Sequence, residues 1–308
     1  MFRRVRATAA LALAALSAIA AGNRPAVAAG TAGDQPAGVT AQQAAADPEP
    51  WLFTVTPYAW FMGVSGNVTA RGQVLDLNSN FIQIVQSSDS IAAFDGYFEA
   101  RKGKVSVYGD VVYAKLGFTN GTSSYRNPIA GVKLSSTFAT TLSYTLTIIE
   151  SGANLEVARW QHGPGSFTAL DGVLGFRFWN NFLDANFDVT TSVDLSRLGF
   201  ERGRSFGIDH SGALTWVDPL VGFRLRHQFD PGNDLTIRGD VGGFGLQSQI
   251  AWQALAAYSH VWQRDGWSIA AVLAYRAIGV NYSSGSAGAV NALNLVLHGP
   301  AIGVSFRF

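Results

Sequence analysis

From Trp51 onward, hydrophobic and polar positions alternate with a period of two. Asp95, Tyr97, Glu99 and Arg101 interleave with Phe94, Gly96, Phe98 and Ala100. Asp171, Gly175 and Arg177 interleave with Leu170, Leu174, Phe176 and Phe178. Asp218, Gly222, Arg224 and Arg226 do so with Val217, Val221, Phe223 and Leu225, and Thr236, Arg238 and Asp240 with Leu235, Ile237 and Val241. Residues two apart share a face of a strand, so each segment predicts one apolar face and one that carries charge. The last residues keep the rule: Ile302, Val304, Phe306 and Phe308 point one way, and Ala301, Gly303, Ser305 and Arg307 the other. Half-buried strands of soluble sandwiches alternate too, so the connections must separate the two cases.

Short polar turns recur at 101–104 (RKGK), 161–165 (QHGPG), 230–233 (DPGN) and 263–266 (QRDG). Longer irregular stretches at 119–137, 180–213 and 283–294 fall between them. Short connections alternating with long ones mark an outer-membrane barrel, whose periplasmic turns are short and extracellular loops long. Four short turns join eight strands, and the first and last strands bring the count to ten. The fold class predicted is all-β, an antiparallel up-and-down transmembrane β-barrel of ten strands. Their approximate spans are 52–64, 91–101, 104–118, 138–160, 166–179, 214–228, 233–246, 248–262, 266–282 and 295–308. Twelve strands follow if Phe182 to Leu195 and a neighbour also span, and eight is the other alternative. Stretch 66–77 reads as an extracellular hairpin, and Phe81 to Val85 as one or two helical turns.

Three features strain the pattern. In 138–160 the polar residues are first odd (Thr141, Ser143, Thr145, Thr147) and then even (Glu150, Gly152, Asn154, Glu156), which predicts a β-bulge near Ile148-Ile149 or a strand end there. Pro57, Pro219 and Pro300 lie inside proposed strands, where each lacks a ladder N–H. All eight Trp lie near proposed strand ends, which predicts interfacial girdles.

Composition agrees with a barrel in lipid. Charged residues are 14%, against about 25% in typical soluble domains. With 34 Gly and 12% aromatics, the chain is short of solvated surface. Residues 1–28 have the layout of a secretory signal peptide: Arg3, Arg4 and Arg6, an apolar stretch from Ala7 to Ala21, and Ala26-Val27-Ala28 as the cleavage site, with Ala18-Ile19-Ala20 as an earlier option. They hold four Arg and no acid, so cleavage leaves 18 basic against 21 acidic residues, a net charge of −3. That excludes an electrostatic footprint for nucleic acid. Residues 29–50, rich in Ala, Gly, Gln and Pro, read as a flexible periplasmic lead-in, and 51–308 as the barrel. The absence of Cys excludes disulfides, thiolate chemistry and Cys-based metal sites.

WLFTVTPYAW (51–60), WVDPLVGFR (216–224), GDVGGFGLQSQIAWQALAAY (239–258) and LHGPAIGVSFRF (297–308) together resemble a family of uncharacterised outer-membrane β-barrel proteins of Gram-negative bacteria. The resemblance implies the fold and the outer membrane, and no agreed activity. It further implies that Phe306 and Phe308 form part of the signal read by the outer-membrane assembly machinery. Lipid and that machinery are thus the expected partners.

The parity places fourteen charged residues on the lumen face: Asp95, Glu99, Arg101, Asp110, Glu150, Glu156, Asp171, Arg177, Asp218, Arg224, Arg226, Arg238, Asp240 and Arg276. Eight are acids, six are Arg and none is Lys, which suits bidentate pairing of guanidinium with carboxylate. A ten-stranded lumen is little wider than its side chains, and open aqueous channels need about 16 strands. Unpaired charge there is costly, so a plugging ion-pair network is the default. A narrow polar path or small-solute site near Arg224, Arg226 and Arg238 is the functional alternative. His162, His210, His227, His260 and His298 have no metal-ligand spacing, and no metal or cofactor is expected. Asp209-His210 sits at the predicted mouth, but adjacent strand residues face opposite ways, so no catalytic residue is assigned. Ser166 lacks a G-x-S-x-G frame, and Gly242-Gly243-Phe244-Gly245 lacks the Lys-Ser/Thr of a phosphate loop. Three functions remain open: a narrow conduit for small solutes, a structural or surface-interaction barrel acting through its loops, and, last, an enzyme at the mouth.

Overall fold

The computed structural model describes residues 49–70, 73–129, 132–195, 200–285 and 291–308. The signal-peptide segment 1–28, and the lead-in as far as residue 48, lie outside the described residues. The elements are β1 (Leu52–Trp60), β2 (Gly63–Ala70), β3 (Gln73–Ser79), α1 (Phe81–Ser87), β4 (Ser90–Lys102), β5 (Val105–Ile129), β6 (Val132–Gly163), β7 (Ser166–Leu195), β8 (Phe200–Asp230), β9 (Asn233–Gly242), β10 (Ser248–Arg264), β11 (Trp267–Ser284) and β12 (Asn291–Arg307).

Strand β1 pairs with β4, each strand from β4 onward pairs with the next, and β12 returns to β1; every pairing is antiparallel. This closes a ring of ten strands, as the short turns predicted. Turns at Gly103-Lys104, Pro164-Gly165, Pro231-Gly232 and Asp265-Gly266 all lie at one end, the periplasmic end of such a barrel. Strands β2 and β3 form a hairpin above it, β2 continuing β1 along the upper part of β12, from Gly63↔His298 to Thr69↔Ala292. Helix α1 follows with a capping box: Asn80 Oδ1 accepts from the Gln83 N–H at 2.9 Å, and Gln83 Oε1 accepts from the Asn80 N–H at 2.9 Å.

The stretches read as long loops at 119–137 and 180–213 are largely strand. Strands β5 and β6 stay paired out to Ile129↔Val132, and β7 and β8 out to Leu195↔Phe200. Phe182 to Leu195 therefore continues β7 and adds no strand, so neither the count of twelve nor that of eight is realised. Hydroxyl, amide and β-branched residues such as Thr137, Thr140, Thr141 and Asn186 satisfied the composition of a loop, yet the period of two persists through them.

The bulge is not at Ile148-Ile149. Register there is unbroken on both neighbours, with Ile148 opposite Val112 and Trp179. The register shifts later and twice, at Val157 between Glu156↔Asp171 and Ala158↔Leu170, and at His162 between Gln161↔Phe167 and Gly163↔Ser166 beside the turn. The prolines sit where ladders stop. Pro219 O accepts from Gly243 N at 3.1 Å, just past the end of β9, and Pro300 O accepts from Phe61 N at 2.9 Å, just past β1. In an antiparallel strand the N–H and C=O of a residue face the same neighbour, so each missing donor falls at a break. The β1–β12 register skips from Val55↔Phe306 to Tyr58↔Gly303, around Pro57.

The outer face is apolar. Phe94, Phe98, Leu174, Phe176, Val221, Phe223, Leu273, Ile302 and Val304 are all exposed, Leu174 to 69%. Such a belt around a closed barrel is a lipid-facing surface. Trp51, Trp160, Trp262 and Trp267 are exposed beside the short turns and form one girdle. Trp60, Trp179 and Trp216 are not interfacial, because they point inward and are buried. Half-buried Trp252 lies against Gly279.

Candidate functional site: the barrel interior

The interior has two tiers, and parity builds both. Strand pleat carries inward residues from strand to strand, so register rows cross the wall. One row runs Tyr97, Asp110, Glu150, Arg177, Asp218 over β4 to β8. The row two residues above runs Asp95, Val112, Ile148, Trp179, Trp216 and is mostly apolar. Below the boundary the interior is charged, and above it the interior is a hydrophobic cluster.

All fourteen predicted charges lie inside, and all but Arg101 and Arg226 are buried. Arg177 donates to Glu150 Oε2 from Nε at 3.0 Å and from Nη2 at 2.8 Å, and to Asp240 Oδ1 at 2.7 Å. Arg238 pairs with Glu150 and, at 3.0 Å, with Asp240. Arg224 bridges Glu99 and Asp171, each at 2.7 Å. Arg226 bridges Glu156 at 2.8 Å and Asp171 at 2.9 Å. Arg101 reaches Glu99 and Asp171, each at 3.3 Å, and Arg276 holds Asp110 at 2.8 Å. Two acids have no guanidinium. Asp95 accepts from Trp60 N at 2.9 Å, and Asp218 accepts from the Ser248 N–H and hydroxyl at 2.9 and 2.7 Å and from Trp216 Nε1 at 3.0 Å. Every one of the eight carboxylates thus accepts a hydrogen bond, which buried charge demands.

Sequence reasoning missed the neutral members. Arg276 donates to Tyr58 Oη at 2.8 Å and to Gln253 Oε1 at 2.8 Å. Tyr97 donates to Glu99 at 2.6 Å, and Arg238 donates to Tyr108 Oη at 2.9 Å while its guanidinium stacks 4.7 Å from the Tyr108 ring. The signal was the parity itself: Tyr97 stands between Asp95 and Glu99, and Tyr108 two residues before Asp110. Gly152 and Gly175 make room for the ring, since a Cβ on either comes within 2.9 or 3.0 Å of Tyr108. Arg159 also joins, pairing with Glu156 at 2.9 Å from the rim.

The upper tier packs Val112, Leu146, Ile148 and Ile278 with the row Trp179, Trp216, Tyr282, whose ring centroids are 5.6 and 4.1 Å apart. On the outside at this level stand Thr147, Asn180, Thr215, Asn281 and Asn294. The odd polar residues of β6 (Thr141 to Thr147) therefore face out, and the even ones from Glu150 face in. The strand keeps one parity and changes solvent. Beside lipid the polar face turns inward; above lipid it turns to water and the apolar face becomes the core.

Among the described residues no cluster of three or more His, Asp or Glu is arranged to hold a metal ion. His162 and His227 meet through Thr168, whose hydroxyl lies 2.8 Å from each ring. The side chains of Asp209 and His210 lie outside the described residues. Gly242-Gly243-Phe244-Gly245 is the tight bend from β9 towards β10, with φ of 84° at Gly243 and 74° at Gly245.

No protein-family model matches the chain, and no curated protein matches it. Among solved structures it is similar to the attachment invasion locus protein Ail of Yersinia pestis, crystallised with the heparin analogue sucrose octasulfate: 10% identity, TM-score 0.29, covering 84% of this chain and 99% of that one. It is similar to a Pseudomonas aeruginosa FadL homologue, at 7% identity and TM-score 0.27, over 85% and 90%. It is also similar to the translocator domain of the autotransporter NalP from Neisseria meningitidis, at 10% identity and TM-score 0.29, over 85% and 90%. At such scores the likeness carries no argument. The closed ring, the apolar belt and the charged interior carry it: the chain forms an integral β-barrel of the outer-membrane type.

Proposed function

We propose that this protein is a closed outer-membrane barrel that conducts no solute through its lumen and acts through the sheet it raises above the membrane. One observation carries the reading: a buried ion-pair network is capped by the apolar tier around Ile148, Trp179 and Trp216. An ion crossing would lose its water among apolar side chains and break buried pairs below them. Strands β5 to β8 carry their ladders well past the last pairs of β4 (Ser90↔Gly117) and β9 (Leu220↔Gly242). They present a four-stranded sheet to the outside, suited to surface contacts. Export through residues 1–28 and assembly through Phe306 and Phe308 belong to the same proposal. Among the described residues no catalytic constellation supports an enzyme.

Planar-bilayer recording of the refolded protein tests it, with folding verified by resistance to SDS at room temperature. Folded wild type is expected to be silent, and Trp216→Ala to admit brief current steps. Steady stepwise conductance from folded wild type overturns the reading.

A further inference from the structure

Beneath the apolar tier the interior is not filled throughout. A cavity of about 490 Å³ occupies the periplasmic half. Its mouth is set by residues next to the short turns: Leu52 opens β1, Phe167 is second in β7, Asp234 is second in β9 and Arg307 ends β12. Its ceiling is the group Tyr58, Asp110, Gln253 and Arg276. It is a blind vestibule, open only where the turns are.

Its walls differ. Seven arginines but only three carboxylates line it. Four of the six network carboxylates that do not line it, Glu150, Glu156, Asp171 and Asp240, are paired with guanidinium groups. These pairs therefore turn their cationic side to the cavity. Within this wall Arg101 Nη1, 3.9 Å from Glu156 Oε2, and Arg238 Nε make no hydrogen bond and are covered by neighbouring groups, while the Arg101 and Arg226 side chains as wholes, 13% and 19% exposed, are among those the cavity reaches. Across from them, β10 to β12 contribute an apolar patch of Leu255, Ala257, Val272, Ala274 and Ala301, with Gln253 and Arg276 above it and Ser259, Ser305 and Arg307 towards the mouth. Arg307 reaches from β12 across to Asp234 on β9 at 2.9 Å, past β10 and β11, at the mouth.

We propose that this vestibule is a binding site, entered from the periplasm, for a small amphiphilic anion. A carboxylate head meets the guanidinium wall at Arg101 and Arg226, and an apolar body lies against Ala257 and Ala274. The volume falls within the range of pre-formed small-molecule sites, about 300–1,000 Å³, and the division of one apolar and one charged wall is the pattern such sites use to fix orientation. Guanidinium suits a planar carboxylate in two-point contact. The site lies below the seal, so its occupancy does not depend on whether the barrel conducts.

The test uses the whole barrel in lipid nanodiscs and 6,6,6-trifluorohexanoate as probe, read by ¹⁹F relaxation, with trifluorohexanol as neutral analogue and empty nanodiscs as the partition control. Wild type is expected to bind the carboxylate saturably and at least tenfold more tightly than the alcohol. Arg226→Gln and Arg101→Gln should each weaken carboxylate binding about tenfold, one lost charge-assisted contact, and leave the alcohol unchanged. Ala257→Leu fills the apolar wall without touching the charges and should weaken both probes. It keeps the proposal open to refutation if the arginine variants fail to fold. Absence of saturable binding to folded wild type overturns the site. Equal affinity for carboxylate and alcohol overturns its selectivity for an anion.

Discussion

Replacing Arg177 by Met asks what the ion-pair network contributes. The guanidinium is fully buried, makes three hydrogen bonds to two carboxylates, and sits opposite Glu150, itself 0% exposed. At the 2.8 Å of the Glu150 contact, attraction at an effective dielectric of about 20 is ~6 kcal/mol, an upper limit, because removing Arg177 also removes its own desolvation cost. Met keeps most of the volume. It leaves Glu150 and Asp240 to share Arg238, with one carboxylate uncompensated. Breaking a buried pair in this way costs about 3–5 kcal/mol. Reversible urea unfolding in lipid vesicles, followed by tryptophan fluorescence, measures it. With a slope near 3 kcal/mol/M, the midpoint should fall by ~1–1.7 M. The double variant Arg177→Met/Glu150→Gln removes the excess charge and should recover part of the loss. A midpoint within about 0.3 M of wild type at unchanged slope would refute the reasoning, for it would mean that the pair contributes nothing net.

Other outcomes follow from the two-tier interior and the belt. Leu174→Arg places charge on the lipid-facing belt and should cost about 2–4 kcal/mol, whereas Thr215→Arg, on the outer face above the belt, should stay within about 0.5 kcal/mol; equal losses would misplace the upper edge of the hydrocarbon. Gly175→Val sets its new Cβ 2.5 Å from the Ser151 carbonyl oxygen and 3.0 Å from Tyr108 Oη, and should cost about 3 kcal/mol or more through overpacking against backbone, read as a lower urea midpoint. At the periplasmic turn, Asp230 accepts from the Asn233 side chain at 2.9 and 3.0 Å and from the Gly232 N–H at 2.7 Å, which holds its pKa below the usual aspartate value. A depressed folded-state value means that the turn's contribution is complete above the unfolded pKa of about 3.9 and is lost as pH falls through the folded one. Carbon-13 titration should place the midpoint below that of a model peptide, and a midpoint at or above it would sink the assignment.

Much of this was legible from period and punctuation. The short turns at Gly103, Gly165, Gly232 and Gly266 count the strands, and parity sends Arg177, Asp171 and Arg224 inward. Parity survives because it belongs to the backbone, whatever surrounds the strand. What sequence alone hid was the level at which the surroundings change. Thr141 to Thr147 look like a shifted lumen face, and only the register with Tyr113 and Asn180 shows that they face water above the belt. Trp179 and Trp216 were misassigned for the same reason: a Trp at the end of a lipid-facing stretch reads as an anchor, yet these begin an interior core. The blind cavity was hidden too, because its apolar wall of Ala257, Ala274 and Ala301 is ordinary in sequence and acquires meaning only opposite the arginines.

The junction of β1 with β12 has a consequence for how the barrel opens and closes. The other pairings in the ring join strands consecutive in the chain or, for β1 and β4, separated only by β2, β3 and α1, while this one brings Thr56 to Ser305, 249 residues apart, with a 2.9 Å hydroxyl contact. Loop-closure entropy for such a separation is about 5 kcal/mol by the (3/2)RT ln n rule. Hairpins can zip one after another, but this pairing waits for all of them, and its ladder is broken beside Pro57. The backbone bonds between Phe53 and Phe308, at 2.7 and 3.0 Å, and the stacking of their rings at 5.9 Å fasten its lower end. Amide protons along this junction should therefore exchange with solvent before those of the β6–β7 ladder, making it the place where a cylinder of otherwise continuous hydrogen bonds first becomes an open sheet.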